Sequence, residues 1–163
     1  MTGPCFVDTN LLVYRHDRAD AAKQSRADAW HTLLWERRVG RLSYQVLQEL
    51  YATLTRGRQV GLDRAEARDI VTELLQWQPI RIDRPILRRA WLIENRFDLS
   101  WWDALIVAAA QAGSCPVLLT EDLQAGQRFD GLRVVDPFAD PERSPQQVLE
   151  TFGSAPGGTA AER

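Results

Sequence analysis

The sequence predicts an α/β sandwich built on a short, mostly parallel sheet, and three observations predict it. Phe6-Val7 and Val117-Leu118-Leu119 are apolar runs without polar alternation, the pattern of strands buried on both faces. Helical stretches separate these runs, so the strands are joined by crossovers and lie parallel. The 163 residues are 45% hydrophobic and 26% charged, which suits one globular domain with an ordinary core.

The elements follow in order. Phe6-Val7 is the first strand, ending at Asp8-Thr9-Asn10, and residues 11–14 open a short helical or loop segment. Between residues 19 and 39, Ala27, Trp30, Leu33 and Leu34 recur at helical spacing, with Gly40 as the stop. Residues 41–43 read as a brief strand. Ser43 then caps a helix with Val46, Leu47, Leu50 and Leu54 on one face, ending near Gly57. Asp63 with Glu66 three residues on is a capping-box pattern for the next helix. Residues 79–82 are expected as a strand, and Asp83 followed by Pro85 starts a helix reaching about Asn95. An apolar helix closed by Gly113 comes next, and residues 116–119 and Val134-Val135 are the last strands. After Phe138 the chain is rich in Pro, Gly, Ser and Ala. The expected organisation is therefore one domain over 1–138 and a flexible tail over 139–163, in which 146–152 has the pattern of a short helix.

Several function classes are disfavoured. No apolar run approaches the ~20 residues of a membrane-spanning helix, and the N-terminus lacks the pattern of a signal peptide. A cytoplasmic location without membrane contact is expected. Cys5 and Cys115 lack metal-ligand spacing and are expected as small core residues near strand starts. His16 and His31 are expected on solvated helix surfaces. The net charge of −2 is not that of a general nucleic-acid binder. Of the twenty basic residues only Lys23 is lysine, and arginines cluster at 37, 38 and 41, at 56 and 58, and at 84, 88 and 89.

One stretch poses a chemical question. From Trp101 to Ala110 every residue is apolar except Asp103. A helix of that composition is expected to be buried on most sides, and an ionised carboxylate there needs a partner. Asp8 ends the first strand, Glu49 lies on the second turn of its helix, and Asp122 follows the strand at 117–119. Ligands of open parallel sheets bind beyond the carboxyl ends of the strands, so four acids from four segments are expected to converge. Each has a plain structural reading too: an Asx turn for Asp8, a solvated flank for Glu49, a capping box with Ser100 for Asp103, a turn cap for Asp122. The joint pattern favours one shared cause, a divalent cation on hard oxygen ligands, Mg²⁺ or Mn²⁺.

"FVDTN", "QVLQELYATLTR", "LSWWDALIVAAAQAG" and "LLTEDLQAG" resemble, in order and spacing, the PIN-domain nucleases, specifically the VapC toxins of bacterial toxin–antitoxin pairs. The resemblance runs from about Phe6 to Phe138. It implies a PIN-like three-layer α/β/α sandwich and a Mg²⁺- or Mn²⁺-dependent endoribonuclease in which water attacks an RNA phosphodiester in line. Asp8, Glu49, Asp103 and Asp122 match the four family acids; Asp8, Asp103 and Asp122 would hold the metal, and Glu49 would ligate it or orient the water. Asn10 and Thr120 match supporting polar positions, Glu121 is an alternative ligand that fits the pattern less well than its neighbour Asp122, and Arg15, Arg56 and Arg58 are candidates for the RNA backbone. Implied partners are an RNA substrate (tRNA, rRNA or mRNA), a cognate VapB-type antitoxin and a second copy of the chain. Trp30, Trp35, Trp77 and Trp91 read as packing residues; Trp101 and Trp102 have two readings, lining the site or packing, and packing is the expected one.

Three other protein classes share part of this pattern. A HAD-type phosphohydrolase also has an Asp ending its first strand, but needs an Asp where this chain has Asn10, and a phosphate-binding lysine. A non-catalytic PIN-like module that binds RNA or a partner is a second, though such degeneration removes acids. A housekeeping RNA-processing PIN nuclease is a third.

Overall fold

The computed structural model describes residues 3–153. Its sheet holds β1 (Cys5–Val7), β2 (Gly40–Arg41), β3 (Val117–Leu119), β4 (Arg128–Phe129) and β5 (Leu132–Val135), in the order β2-β1-β3-β5-β4. Phe6 pairs with Arg41 on one side and Leu118 on the other, and β1, β2, β3 and β5 are parallel; β4 joins β5 antiparallel. Helices α1 (Thr9–Tyr14), α2 (Ala21–Glu36), α3 (Tyr44–Thr55), α4 (Arg64–Leu74), α5 (Arg84–Phe97), α6 (Trp101–Ala112) and α7 (Pro145–Gly153) complete the expected three-layer α/β/α sandwich.

Strand burial explains the absence of alternation: every residue of β1 and β3 is buried. Helix starts are set by the expected caps. Ser43 accepts from the Val46 N–H at 3.4 Å, Asp63 from Glu66 at 2.8 Å, Asp83 from Ile86 at 3.3 Å and Ser100 from Asp103 at 3.2 Å. α6 packs along α5 and onto β3 and β5. Its small residues Ala104, Ala108, Ala109 and Ala110 are fully buried and allow that close approach.

The topology determines where a ligand can bind. From β1 the chain crosses to β2 on one side, whereas β3 lies on the other. Connections leaving the ends of β1 and β3 therefore diverge, and a crevice opens beyond their carboxyl ends.

The structure corrects several local expectations. Gly40 is a β2 residue; α2 stops earlier, at Glu36, and Arg38 turns the chain with φ 57°. A side chain at Gly40 would meet the Trp77 ring at 2.8 Å, so glycine is required by close approach. Residues 79–82 form only one bridge, Ser43 to Ile80, and the two-residue β4 carried no pattern to read. His31 is buried rather than solvated. It stacks on Trp35 and Trp77, with ring centroids 5.6 and 5.4 Å away, and burial pushes its pKa down to about 4. His16 is half-buried. Trp30 and Trp77 pack as expected, but Trp91 is 52% exposed.

The chain after Phe138 is also not a loose tail, as far as residue 153. Arg26 of α2 donates to the carbonyls of Pro137 (2.9 Å), Arg143 (2.6 Å) and Asp140 (3.0 Å), and the Trp30 indole N–H donates to Pro137 at 2.9 Å. These donors satisfy a loop that makes few backbone bonds of its own, and α7 then docks on α2 with Val148 and Leu149 in the core. The rest of the expected tail, 154–163, lies outside the described residues.

If α7 is part of the folded unit, Leu149→Ala should lower unfolding stability by about 2–5 kcal/mol. Urea denaturation measures this, and an unchanged midpoint would return residues 139–153 to the status of a tail.

Candidate active site

The site begins with the end of β1. The Asp8 N–H donates to the Leu119 carbonyl at 3.0 Å, prolonging the β1–β3 ladder by one residue. Its carboxylate therefore emerges at the switch point, as the N-cap of α1. Oδ1 accepts from the Thr9 N–H at 2.7 Å and Oδ2 from the Thr120 hydroxyl at 2.8 Å. The residue is 5% exposed. Burial raises its pKa most; the two hydrogen bonds oppose that, and the negative charges of Asp122 and Glu49 add to it. The result is a carboxyl pushed up to about 7.

Thr120, the first residue after β3, joins the two strand ends. Its oxygen donates to Asp8 and accepts from the Asn10 amide at 3.1 Å and the Asp122 N–H at 3.1 Å. The Asn10 amide also donates to Asp122 Oδ2 at 3.1 Å, while its Oδ1 is buried with no partner. On the other side, Glu49 accepts from the Thr9 hydroxyl at 2.8 Å and from Gln45 Nε2 at 2.9 Å. Residues of β1, α1, α3 and the β3 end thus form one hydrogen-bonded chain running from Glu49 to Asp122.

Asp103 is placed differently. Ala104 to Ala110 are buried as expected, but the first turn of α6 reaches the surface: Asp103 is half-buried and Trp102 is 63% exposed. The Asp103 N–H is capped by Ser100, yet its carboxylate makes no hydrogen bond or ion pair among the described residues. The same turn lies beside the site, because Gln45 Nε2, which holds Glu49, also donates to the Trp102 carbonyl at 3.3 Å. Among the described residues no three Asp, Glu, His or Cys side chains stand close enough, as placed, to share a cation. Asp8, Glu49 and Asp122 each accept from neutral donors instead.

Other candidates are occupied or open. Glu121 is bound by Lys23 Nζ at 2.6 Å, and this bond, more than any other contact, raises the lysine's pKa. Arg15 pairs with Asp28 at 3.1 Å. Arg56 and Arg58 are exposed on the side of the molecule bearing the end of α3. Thr9, Gln45 and Lys23 belong to the site without having been expected there. Gln45, one helical turn before Glu49, carried a readable signal; the contacts of Thr9 and Lys23 depend on the fold.

The PIN domain family matches residues 5–130 of the chain. Comparison with curated proteins gives no match. Among solved structures, VapC20 of Mycobacterium tuberculosis, described as a sarcin-ricin loop cleaving toxin, aligns with a TM-score of 0.54 at 22% identity, over 78% of this chain and 90% of that one. DNA-bound VapBC from Salmonella typhimurium aligns with a TM-score of 0.60 at 16% identity, covering 83% of this chain and 99% of that one. VapBC2 of Rickettsia felis, bound to a DNA fragment from its promoter, gives 0.57 at 16%, covering 80% and 96%. At these identities the likeness is one of fold.

The Asp8 environment has a consequence for stability. An ordinary Asp releases its proton near pH 3.8 in the unfolded chain, whereas the folded protein holds it to about 7. The folded state binds more protons between those values, so the contribution is complete below about pH 3.8 and lost as pH rises through about 7. In metal-free buffer, urea midpoints of the wild type should fall from pH 5 to pH 8 more steeply than those of Asp8→Asn. Parallel pH profiles for the two proteins would contradict it.

Proposed function

This chain belongs to the PIN-domain family, and from that premise we propose that it is a divalent-metal-dependent endoribonuclease, the VapC-type toxin of a toxin–antitoxin pair. One observation carries the reading: the Asp8 carboxylate, buried at the switch point, shares its electrostatic field with Asp122 and Glu49. Such an arrangement is costly in the apo protein and useful for holding a cation.

The residues present fit a Mg²⁺ or Mn²⁺ ion. The donors are all oxygen, the Asn10 Oδ1 is buried without a partner, and Asp8 is an acid whose ionised form lacks compensating charge. Asp8, Asp103 and Asp122 would hold the ion, with Asn10 and Thr120 in support. The Asp103 carboxylate, bound by nothing, is available to turn toward it. When bound, the ion supplies Lewis acidity to the scissile phosphate and lowers the pKa of water at the site.

The chain's own groups do the rest. The Thr120 hydroxyl fixes Asp8 Oδ2, and the Asn10 amide fixes Asp122 Oδ2, so one oxygen of each carboxylate is held in place by a neutral donor. Glu49, steadied by Thr9 and Gln45, orients the attacking water and accepts its proton on a carboxylate oxygen, while the P–O bond in line with that water breaks and the leaving ribose oxygen takes a proton from solvent. Lys23 neutralises Glu121, which limits the negative charge facing an RNA phosphate. Arg56 and Arg58 are open to the RNA backbone, whereas Arg15 would first have to leave Asp28. A VapB-type antitoxin as partner is supported by the VapBC complexes that share this fold. Homodimerisation, a tRNA, rRNA or mRNA substrate and a cytoplasmic location complete the reading.

Purified protein should cut a total-RNA pool into discrete fragments with Mg²⁺ or Mn²⁺, and EDTA should abolish cutting. Asp8→Asn, Glu49→Gln, Asp103→Asn and Asp122→Asn should each reduce the rate about 100-fold or more without unfolding the protein. RNA profiles identical across metal, EDTA and variants would sink the nuclease reading.

A further inference from the structure

The groove between α3 and α6 continues directly from the acid site, and its lining differs in kind. One wall is the face of α3 that carries Gln45, Gln48, Glu49 and Arg56; the other is Trp102 and Leu105 of α6, with Ile82 between. Spacings of three, four and seven residues align the α3 side chains on one face. Glu49 belongs both to this wall and to the site. Arg56, seven residues on, stands about 10 Å further along the helix.

Trp102 is the anomaly of the groove. α6 is otherwise the most apolar and most buried helix, yet this indole is 63% exposed and pairs with no other ring among the described residues. Its backbone is nevertheless anchored, since its carbonyl accepts from Gln45. Gln45 is itself only 7% exposed: Nε2 is used twice, and Oε1 is buried in the groove wall without a donor. The Arg56 guanidinium has no ion pair or hydrogen bond among the described residues.

We infer that this groove is a nucleobase subsite: an unstacked base of single-stranded RNA lies on the Trp102 indole, one step from the phosphate at the acid site. The inference rests on the nuclease reading above. An exposed aromatic face, two amides and a free guanidinium are what a base requires, for stacking, for its hydrogen-bonding edge and for the adjoining phosphate. A bare phosphate has no use for an indole and would be repelled by Glu49. An apolar partner helix would need more greasy surface than Ala52, Ile82, Trp102 and Leu105 provide, between two amides, a carboxylate and a guanidinium. The amides of Gln45 and Gln48 on the groove wall offer the donors and acceptors that a base edge needs, so nucleotide preference is read here.

The test uses the full chain and a random-sequence single-stranded RNA, with wild type, Trp102→Ala and Trp102→Phe. The residue is exposed, so melting curves should match and remove folding from the comparison. With Mg²⁺, Trp102→Ala should raise KM about 5- to 150-fold with kcat little changed, the range that loss of one stacked base predicts. It should also flatten the nucleotide preference next to the cut, and Trp102→Phe should restore most of both. In EDTA the oligonucleotide should quench a part of the wild-type tryptophan fluorescence that is missing in Trp102→Phe. A wild type that cuts RNA while Trp102→Ala keeps the same KM and preference overturns the subsite and leaves the nuclease reading intact. Quenching without cutting does the reverse. Neither cutting nor quenching rejects both. Weakened capture of a VapB-type antitoxin by Trp102→Ala, with KM unchanged, also overturns the subsite and gives the groove to a protein segment.

Discussion

A carboxylate buried at the carboxyl end of β1 is the constraint around which the molecule is arranged. Asp8 cannot leave: its backbone is part of the β1–β3 ladder and its side chain starts α1. Nor can it be comfortably ionised there without help, because desolvation and two nearby acids push its pKa to about 7. Thr9 and Thr120 offset part of that cost with hydrogen bonds, one from each neighbouring connection. Structural and chemical roles thus fall on one residue. The bond to Thr120 ties the two strand ends together, and the unmet charge is the feature on which the proposed cation rests.

From that point the polar residues form a graded series rather than a cluster. Asp8 is buried, Glu49 and Asp103 are half-buried, and Asp122 is exposed at the rim. Threonine, asparagine and glutamine stand between Asp8, Glu49 and Asp122, which each accept from neutral donors. Asp103 alone has no such donor on its carboxylate. It lies on the turn of α6 that projects from the core, where reorientation is cheap. A site graded in this way is preorganised on the sheet side and adaptable on the helix side.

The helices divide the remaining work. α6 is a core element from Ala104 onward and a surface element before it, with Ser100 marking its start. α3 repeats the arrangement: Val46, Leu47, Leu50 and Leu54 pack inward while Gln45, Glu49 and Arg56 line the crevice and its continuation. At the far end, Arg26 and Trp30 of α2 clamp the loop that leads into α7. One arginine serving three carbonyls explains how a stretch rich in Pro and polar residues is held without strands of its own.

Much of this was legible in the amino-acid order, for a physical reason. Uninterrupted apolar runs such as Phe6-Val7 specify buried strands, and caps such as Ser43, Asp63 and Asp83 specify helix starts, because both act within a few residues. The rule that parallel sheets expose their carboxyl ends then places Asp8 and Asp122 at the same sheet edge. What is not local was not legible. His31 has the neighbours of a surface residue, and only the packing of Trp77 from a distant segment buries it. Asp103 sits in an apolar run, and only the packing of α6 on α5, β3 and β5 decides that its first turn faces outward. The order of residues therefore determined the fold class, most of the elements and the inventory of acids. The tertiary structure decided which acids share a field, which are held by neutral donors, and that a tryptophan is left uncovered beside them, since those depend on contacts between segments about a hundred residues apart, such as Asn10 with Thr120 and Asp122.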